Sequence, residues 1–374
     1  MYSTAIYNNL DQLPALESEW NEVHRHSVLQ SPFNTYNYIL MWYEVFVSPS
    51  EVRVYQVKNN NITIGFMPLF ITLNKGFREL RNLYNDHCFN PQPLVLTGYE
   101  QIFPEILFQE LLNDKRRWDA IRHGFSYSFS LIPGLFSDDQ LKNTHARWIK
   151  NLMPTYTILL NKSFDEYFKL DISASLRNKL KRRIKMLADT ENHTFIHYQG
   201  SHALEHWPLF LELEGSGWKG TEGTSINKTE TRMQLYYKNL LLILARTNNL
   251  HLYFLKVADK VVAAVFGYTE SNVFHYAKIA YDEEYGELMP SNNLLLHIIK
   301  DLISNSPEIK RFHLFPWDYG YKHRFVNETT ECITTIIYSP TVRGNLFYAL
   351  VQAKTYATEK MTGIVQQVRK HGNS

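Results

Sequence analysis

The chain has 374 residues, with 39 Lys and Arg against 37 Asp and Glu for a net charge of +2, so no global field favours nucleic acid and any basic surface must be local. Its 44% hydrophobic and 14% aromatic content is ample for a packed core and excludes disorder, while 16 Gly and 14 Pro exclude collagen-like and low-complexity architectures. The length suits two domains or one large one. The opening MYSTAIYNNLDQLPALESEW has no basic and no apolar leader region. The longest aliphatic run, Leu240 to Ala245, is far short of the ~20 residues that span a bilayer. Cys88 and Cys332 form neither a disulfide framework nor a metal cluster, which points to a reduced, cytoplasmic protein.

In chain order, Pro14 stands where a first helical residue often stands, and Leu16, Trp20 and Val23 follow at helical spacing. A second helix is predicted over Tyr36–Phe46. Two β-rich runs from Val52 to Phe70 flank Asn59-Asn60-Asn61, a hairpin signal. A similar unit, Leu250 to Tyr268, lies 198 residues further on: Tyr55 meets Tyr253, Lys58 meets Lys256, and the turn meets Val257-Ala258-Asp259. This reads as an internal repeat, two α/β modules in tandem, with mixed α/β as the fold class. Met153-Pro154 before the strand-like Tyr156-Leu160 puts the boundary near 145–160, giving modules over 1–152 and 153–344. Leu176, Leu180, Ile184 and Leu187 share one face of a helix over about 173–189. The amphipathic stretch from Asn345 to about Arg369 reads as a helix docked on the body, with a membrane-surface role the lesser alternative because its basic residues are few.

Several chemistries lack their usual motifs: no GxxxxGK followed by Ser or Thr, no GxSxG, no HExxH and no paired CxxC occurs. The pairs His24/His26, His193/His197 and His202/His206 have no acidic or Cys ligand to complete a metal site, so no metal is expected. Four segments carry positive signals. The helix 173–189 bears Arg177, Lys179, Lys181, Arg182, Arg183 and Lys185 with no acid before Asp189; these cations could meet phosphates or form a solvated face. Gly215, Gly217, Gly220 and Gly223 fall within nine residues around Trp218 and Lys219, after Glu214, which suits a substrate rim or a plain flexible loop. A strand ending near Ile279 feeds Tyr281-Asp282-Glu283-Glu284-Tyr285-Gly286 and then a helix whose N-cap is Ser291 or Asn292, a free N-terminus suited to a diphosphate. Past the strand ending at Phe315, Pro316 to Lys322 masses polar residues where α/β folds place sites.

Taken in order, these features resemble the FemAB/CelD-like branch of the GNAT acyltransferases. The carriers are Glu214-Trp218-Lys219-Gly220, the small-residue hairpin Val261 to Tyr268, the Tyr281-Asp282 connection into Pro290-Ser291-Asn292-Asn293, and Asp318-Tyr319-Gly320-Tyr321-Lys322. In the first half they are Ser31-Pro32-Phe33, Trp42, Gly65 to Leu69 and Asn85-Asp86. The resemblance covers about residues 10 to 340. It implies two tandem GNAT-like modules and acyl transfer from acyl-CoA, acetyl-CoA by default, to an amine, often on an amino sugar or cell-envelope precursor. One departure stands out. GNAT enzymes hold the CoA diphosphate on a Gln/Arg-x-x-Gly-x-Gly/Ala loop, and here Glu287 to Asn292 has no glycine in that cradle. Related Fem-type enzymes use aminoacyl-tRNA, which the basic helix keeps open; a non-catalytic partner in polysaccharide assembly is a third class. For such a site, Glu214 or Asp318 is expected as base and Tyr276 or Tyr321 as acid. Trp218, Lys219 and Lys322 are expected to hold the acceptor, and Ser291, Asn292, Asn293, Arg177 and Lys181 the donor. The acceptor, the acyl chain and the oligomeric state are not legible in the sequence.

Overall fold

A computed structural model describes residues 1–85, 92–127, 141–142, 146–190, 192–317 and 320–371. The predicted hairpin forms β2 (Val52–Asn59) and β3 (Ile62–Asn74), with Asn60 taking the left-handed turn position that Asn tolerates. Its counterpart forms β9 (Leu250–Val257) and β10 (Lys260–Glu270), with Ala258 in the same conformation. The helix α2 (Tyr36–Phe46) has the predicted bounds because the Thr35 hydroxyl accepts from the Tyr38 N–H at one end and extended Val47 stops it at the other. Its equivalent, α9 (Thr231–Arg246), packs directly on it. The hydroxyls of Tyr38 and Tyr236, again 198 residues apart, stand 3.2 Å from each other. Contact between equivalent positions is what a local two-fold axis between the modules requires.

The remaining strands are β1 (Tyr2–Tyr7), β4 (Phe77–Asn82), β5 (Leu94–Val95), β6 (Ala120–Tyr127), β7 (Arg147–Leu159), β8 (His193–Gln199), β11 (Val273–Tyr281), β12 (Arg311–His313) and β13 (Glu328–Tyr338). They form one sheet in the order β1-β2-β3-β4-β6-β13-β7-β12-β11-β10-β9-β8, with β5 beside β3. The order is palindromic except at the centre. There β13, which ends the second module, pairs with β6 of the first, while β7 pairs with β12 of the second. The two exchanged strands also pair with each other from Glu328↔Thr157 to Tyr338↔Arg147. Residues 152 and 153, on either side of the boundary expected from sequence, therefore lie inside a strand.

One face of the sheet carries α1 (Glu17–Arg25), α2, α6 (Gly200–Glu205), α7 (Trp207–Ser216) and α9 over a core shared by both modules, in which Trp20 stacks on Phe66 at 4.4 Å. Such a pair adds about 0.5–1.5 kcal/mol beyond its buried area. Behind the second half lie α4 (Phe164–Leu170), α5 (Ala174–Ala188) and α10 (Pro290–Asn305); behind the first half lies α3 (Ile102–Asn113).

Three local expectations need correction. Pro14 sits inside a 3-10 turn, Leu10–Leu16, capped by Asn9, and the α-helix begins only at Glu17. Ile184 is exposed, so the buried stripe of α5 is Leu176, Leu180 and Leu187. The closing helix α11 (Val342–His371) docks only through its first turns, where Phe347 stacks on Phe77 at 4.5 Å; from Gln352 to Thr358 every side chain is exposed. Among the described residues no helix is long and apolar enough to cross a membrane.

Candidate active site

The site begins with a fault in β11. Opposite β10, Phe266 faces Lys278 and Gly267 faces Tyr276, so Ala277 is an extra residue, a bulge. Gly267 is needed there because a side chain would run into the Phe274 ring. On its other edge β11 pairs with β12 only from Val273↔Arg311 to His275↔His313. Beyond that point residues 276–281 have no described strand partner on this side, and the strands splay. A cavity of about 370 Å³ lies against this edge, lined by Glu214, Gly217, Tyr276, Ile279, Tyr281, Ser291, Asn292 and Tyr321 among others. The glycine-rich segment, the splayed strand, the start of α10 and the segment after β12 thus meet in one cavity.

Glu214, near the end of α7, is buried. Its Oε2 accepts the Ile226 N–H at 2.9 Å, and its Oε1 lies 3.5 Å from the Lys278 ammonium. Tyr276 is also buried; burial first, and nearby Tyr321 second, hold its phenol well above the usual range. It therefore stays protonated at neutral pH and serves as a hydrogen-bond donor. Tyr321 lines the same cavity and is partly exposed.

The glycine-rich segment is a folded hairpin of helix rather than a loop. Helix α7 runs to Ser216, and the single turn α8 (Trp218–Thr221) folds back on it. A Cβ at Gly220 would overlap the carbonyl group of Gly215. Only Gly223 takes a left-handed turn conformation here. The side chains of Trp218 and Lys219, and the whole of Asp86, Asp318 and Tyr319, lie outside the described residues.

The start of α10 differs from the expected cradle. The N-cap is Met289, held left-handed at φ 49°, and not Ser291 or Asn292. Pro290 brings no N–H, and the Asn292 and Asn293 N–H groups already donate to the Met289 carbonyl. The Asn293 side chain donates to the Leu288 carbonyl at 2.7 Å and faces the turn, not the cavity. An anion here would meet the Ser291 N–H and the side chains of Ser291 and Asn292.

Two expected ligands are structural. Arg177 donates to the carbonyls of Phe168, Lys169 and Ile172, closing the end of α4. Lys181 is exposed on α5, which packs beside α10 and the turn Glu283–Leu288, so the basic face lies near the start of α10 without lining the cavity. Lys322, expected to anchor the acceptor, is buried and donates to the carbonyls of Phe315 and Pro316 at 3.1 and 2.9 Å. Phe315 and Trp317 both hold positive φ, 62° and 68°, a strained conformation for such side chains. The ammonium clamps this turn. Lys322→Met should thus lower unfolding stability by about 1–3 kcal/mol while leaving acceptor KM unchanged, as chemical denaturation and steady-state kinetics would show.

Sequence reasoning passed over Lys278 and named Ile279 and Tyr281 only as the strand end and the connection after it, with no role in the site. Lys278 is the only charged residue in the strand Val273–Tyr281, and a cation inside an apolar strand was the available signal for a partner to Glu214. Among the described residues no group of three or more His, Cys, Asp or Glu could hold a metal.

A family model of the acetyltransferase (GNAT) domain matches residues 174–323, the part that carries the cavity. Among solved structures, FemX is similar at 11% identity, covering 89% of this chain and 98% of that one with a TM-score of 0.59. The C-terminal DUF2156 domain of a putative lysylphosphatidylglycerol synthetase from Agrobacterium fabrum is similar at 11% identity, covering 92% and 97% with a TM-score of 0.52. A conserved protein of unknown function from Bacteroides thetaiotaomicron, 12% identical, covers 90% and 100% with a TM-score of 0.50. At such identities these likenesses speak for the fold. No curated protein matches the sequence. Residues 174–323, with their splayed and bulged central strand, thus carry an acetyltransferase (GNAT) domain, in a chain whose fold is similar to that of FemX.

Proposed function

We propose that this enzyme transfers an acyl group from acyl-CoA, acetyl-CoA by default, to the amine of an amino sugar or sugar-linked cell-envelope precursor. The convergence of Glu214, Tyr276, Tyr321 and the start of α10 on one cavity carries the reading. In this scheme the donor's acyl carbon sits at the free edge of β11, whose N–H groups can receive the developing oxyanion. The acceptor nitrogen loses a proton to Glu214, directly or through water, and forms the C–N bond. The C–S bond breaks, and Tyr276 donates its hydrogen bond to the departing thiolate, which takes up the proton that the amine gave up. A phenol raised so far by burial is a reluctant acid, so Tyr276 stabilises the leaving group more than it ionises. Alignment supplies much of the rest.

An amine acceptor is supported by the groove of about 830 Å³ adjoining the cavity, lined by Glu212, Glu222, Asp259, Asp282, Glu283 and Glu284 with Lys260 as its cation. A sugar-linked acceptor is supported by a cleft of about 780 Å³ between the modules. There Phe46, Phe70 and Tyr84 offer stacking faces, and the buried Trp42 indole N–H has no hydrogen-bond partner among the described residues. One observation favours aminoacyl-tRNA as the donor instead: the start of α10 offers little to a CoA diphosphate, while Lys179, Lys181, Arg182 and Lys185 are exposed on α5. Calorimetric titration separates the readings. Binding of acetyl-CoA or another acyl-CoA, weakened by Asn292→Ala, supports the first. Binding of charged tRNA but of no acyl-CoA replaces it with the second, and binding of neither leaves a non-catalytic role in envelope assembly.

A further inference from the structure

Helix α11 has 30 residues and so extends ~45 Å at 1.5 Å per residue. Its inner face ends early: Phe347 lies against Phe77 and Tyr338, and Tyr348 sits beside Tyr338 and beneath Arg147. Its outer face is apolar. Val342 is 87% exposed, Leu346 52% and Leu350 53%, one above the other at four-residue spacing. Ala353 and Ala357 continue the stripe, and Tyr356, 69% exposed, borders it. A single helix projecting into water gains little from its own hydrogen bonds, so this stripe needs a surface to lie on.

The basic residues are few, but almost no acid offsets them, and that excess rather than their number decides which surface. Over residues 342–371 the sequence has Arg343, Lys354, Lys360, Arg369 and Lys370 against Glu359 alone. Arg343 is already bound to Asp119, whereas Lys354 and Lys360 are exposed. A second copy of the helix would bring like charges together with one acid to offset them. The seam it would need also fails, because Leu350 is followed on the stripe by Ala353, Ala357 and then Lys360, a lysine where a coiled coil wants an apolar residue. An anionic lipid surface fits on both counts. It accepts leucines and a tyrosine at the acyl boundary, and lysines that reach outward to the headgroups.

We propose that α11 is an amphipathic anchor that holds the enzyme on an anionic membrane surface. The test is co-sedimentation of the full chain with vesicles of phosphatidylcholine alone and of phosphatidylcholine mixed with phosphatidylglycerol. Binding to the mixed vesicles only, falling as salt rises, is expected. Neutralising Lys354 and Lys360 to Gln should weaken it roughly 30-fold, at a contribution of about 1 kcal/mol per cation. Leu346→Asp with Leu350→Asp should abolish it. These side chains face solvent, so thermal unfolding of the variants should be unchanged, which separates lost binding from lost fold. Equal binding to neutral vesicles, or binding to neither, would overturn the proposal. So would a dimer in sedimentation velocity that Leu350→Asp dissociates, since a second copy would then cover the stripe.

Discussion

Tyr276→Phe is expected to reduce kcat by about 10²- to 10⁴-fold, the range for loss of a positioned proton or hydrogen-bond donor. The substitution removes one oxygen from a side chain that is otherwise buried against Phe312 at 5.4 Å, so the fold should hold. Donor Kd should change little, because the phenol contributes only when sulfur carries charge. The sign of the pH effect follows from the raised phenol. A buried Tyr whose ionised form is disfavoured supports folding below its unfolded value near 10, and that support is lost as pH rises beyond it. Across neutral and mildly alkaline pH the wild type therefore keeps its donor, and any alkaline loss of activity in that window belongs to another group. If the Phe variant lost less than tenfold in kcat, Tyr276 would have no part in the chemistry.

The second large effect is expected at Gly220. Placing a methyl on its Cα sets that methyl inside the Gly215 carbonyl group, backbone against backbone, where no side chain can swing away. Overpacking of this kind costs about 1–3 kcal/mol. The hairpin of α7 and α8 would open, moving Gly217 and Glu214, both of which line the cavity. A displacement near 1 Å at a reacting group lowers the rate about 10²-fold. Gly220→Ala should therefore lose at least that in kcat/KM. Gly286→Ala is the control, because a side chain there meets nothing within 4 Å. Equal activity of the two variants would show that the helical hairpin does not shape the site.

These residues also mark what periodicity can and cannot reveal. The bounds of α2, of the two hairpins and of α5 follow from caps, turn residues and apolar spacing, all local in sequence, and so they are legible. The convergence of Glu214, Tyr276, Ser291, Asn292 and Tyr321 follows from resemblance to a known arrangement. Alternation alone would not foretell it, because the bulge at Ala277 leaves no mark in a strand of ordinary composition. Lys322 shows the converse. A lysine amid polar residues looks like an exposed anchor, but its partners are main-chain carbonyls of a strained turn, which no side-chain pattern announces. Likewise Met289 stands at the left-handed cap of α10, a position where sequence rules look for Ser or Asn.

The exchange of β7 and β13 has a consequence for how this polypeptide acquires its structure. During synthesis the first 146 residues emerge without β13, the strand that completes β6, which must wait for about 200 further residues. Until then β6 presents an unpaired edge, an invitation to wrong partners. Closing that contact joins segments very distant along the chain, which predicts slow folding dominated by non-local pairing. Once closed, neither half can release its last strand without breaking the other's sheet. Unfolding should therefore be a single calorimetric transition despite the two-module plan, and a chain cut just after β7, between residues 161 and 162, should yield soluble halves only when both are produced together.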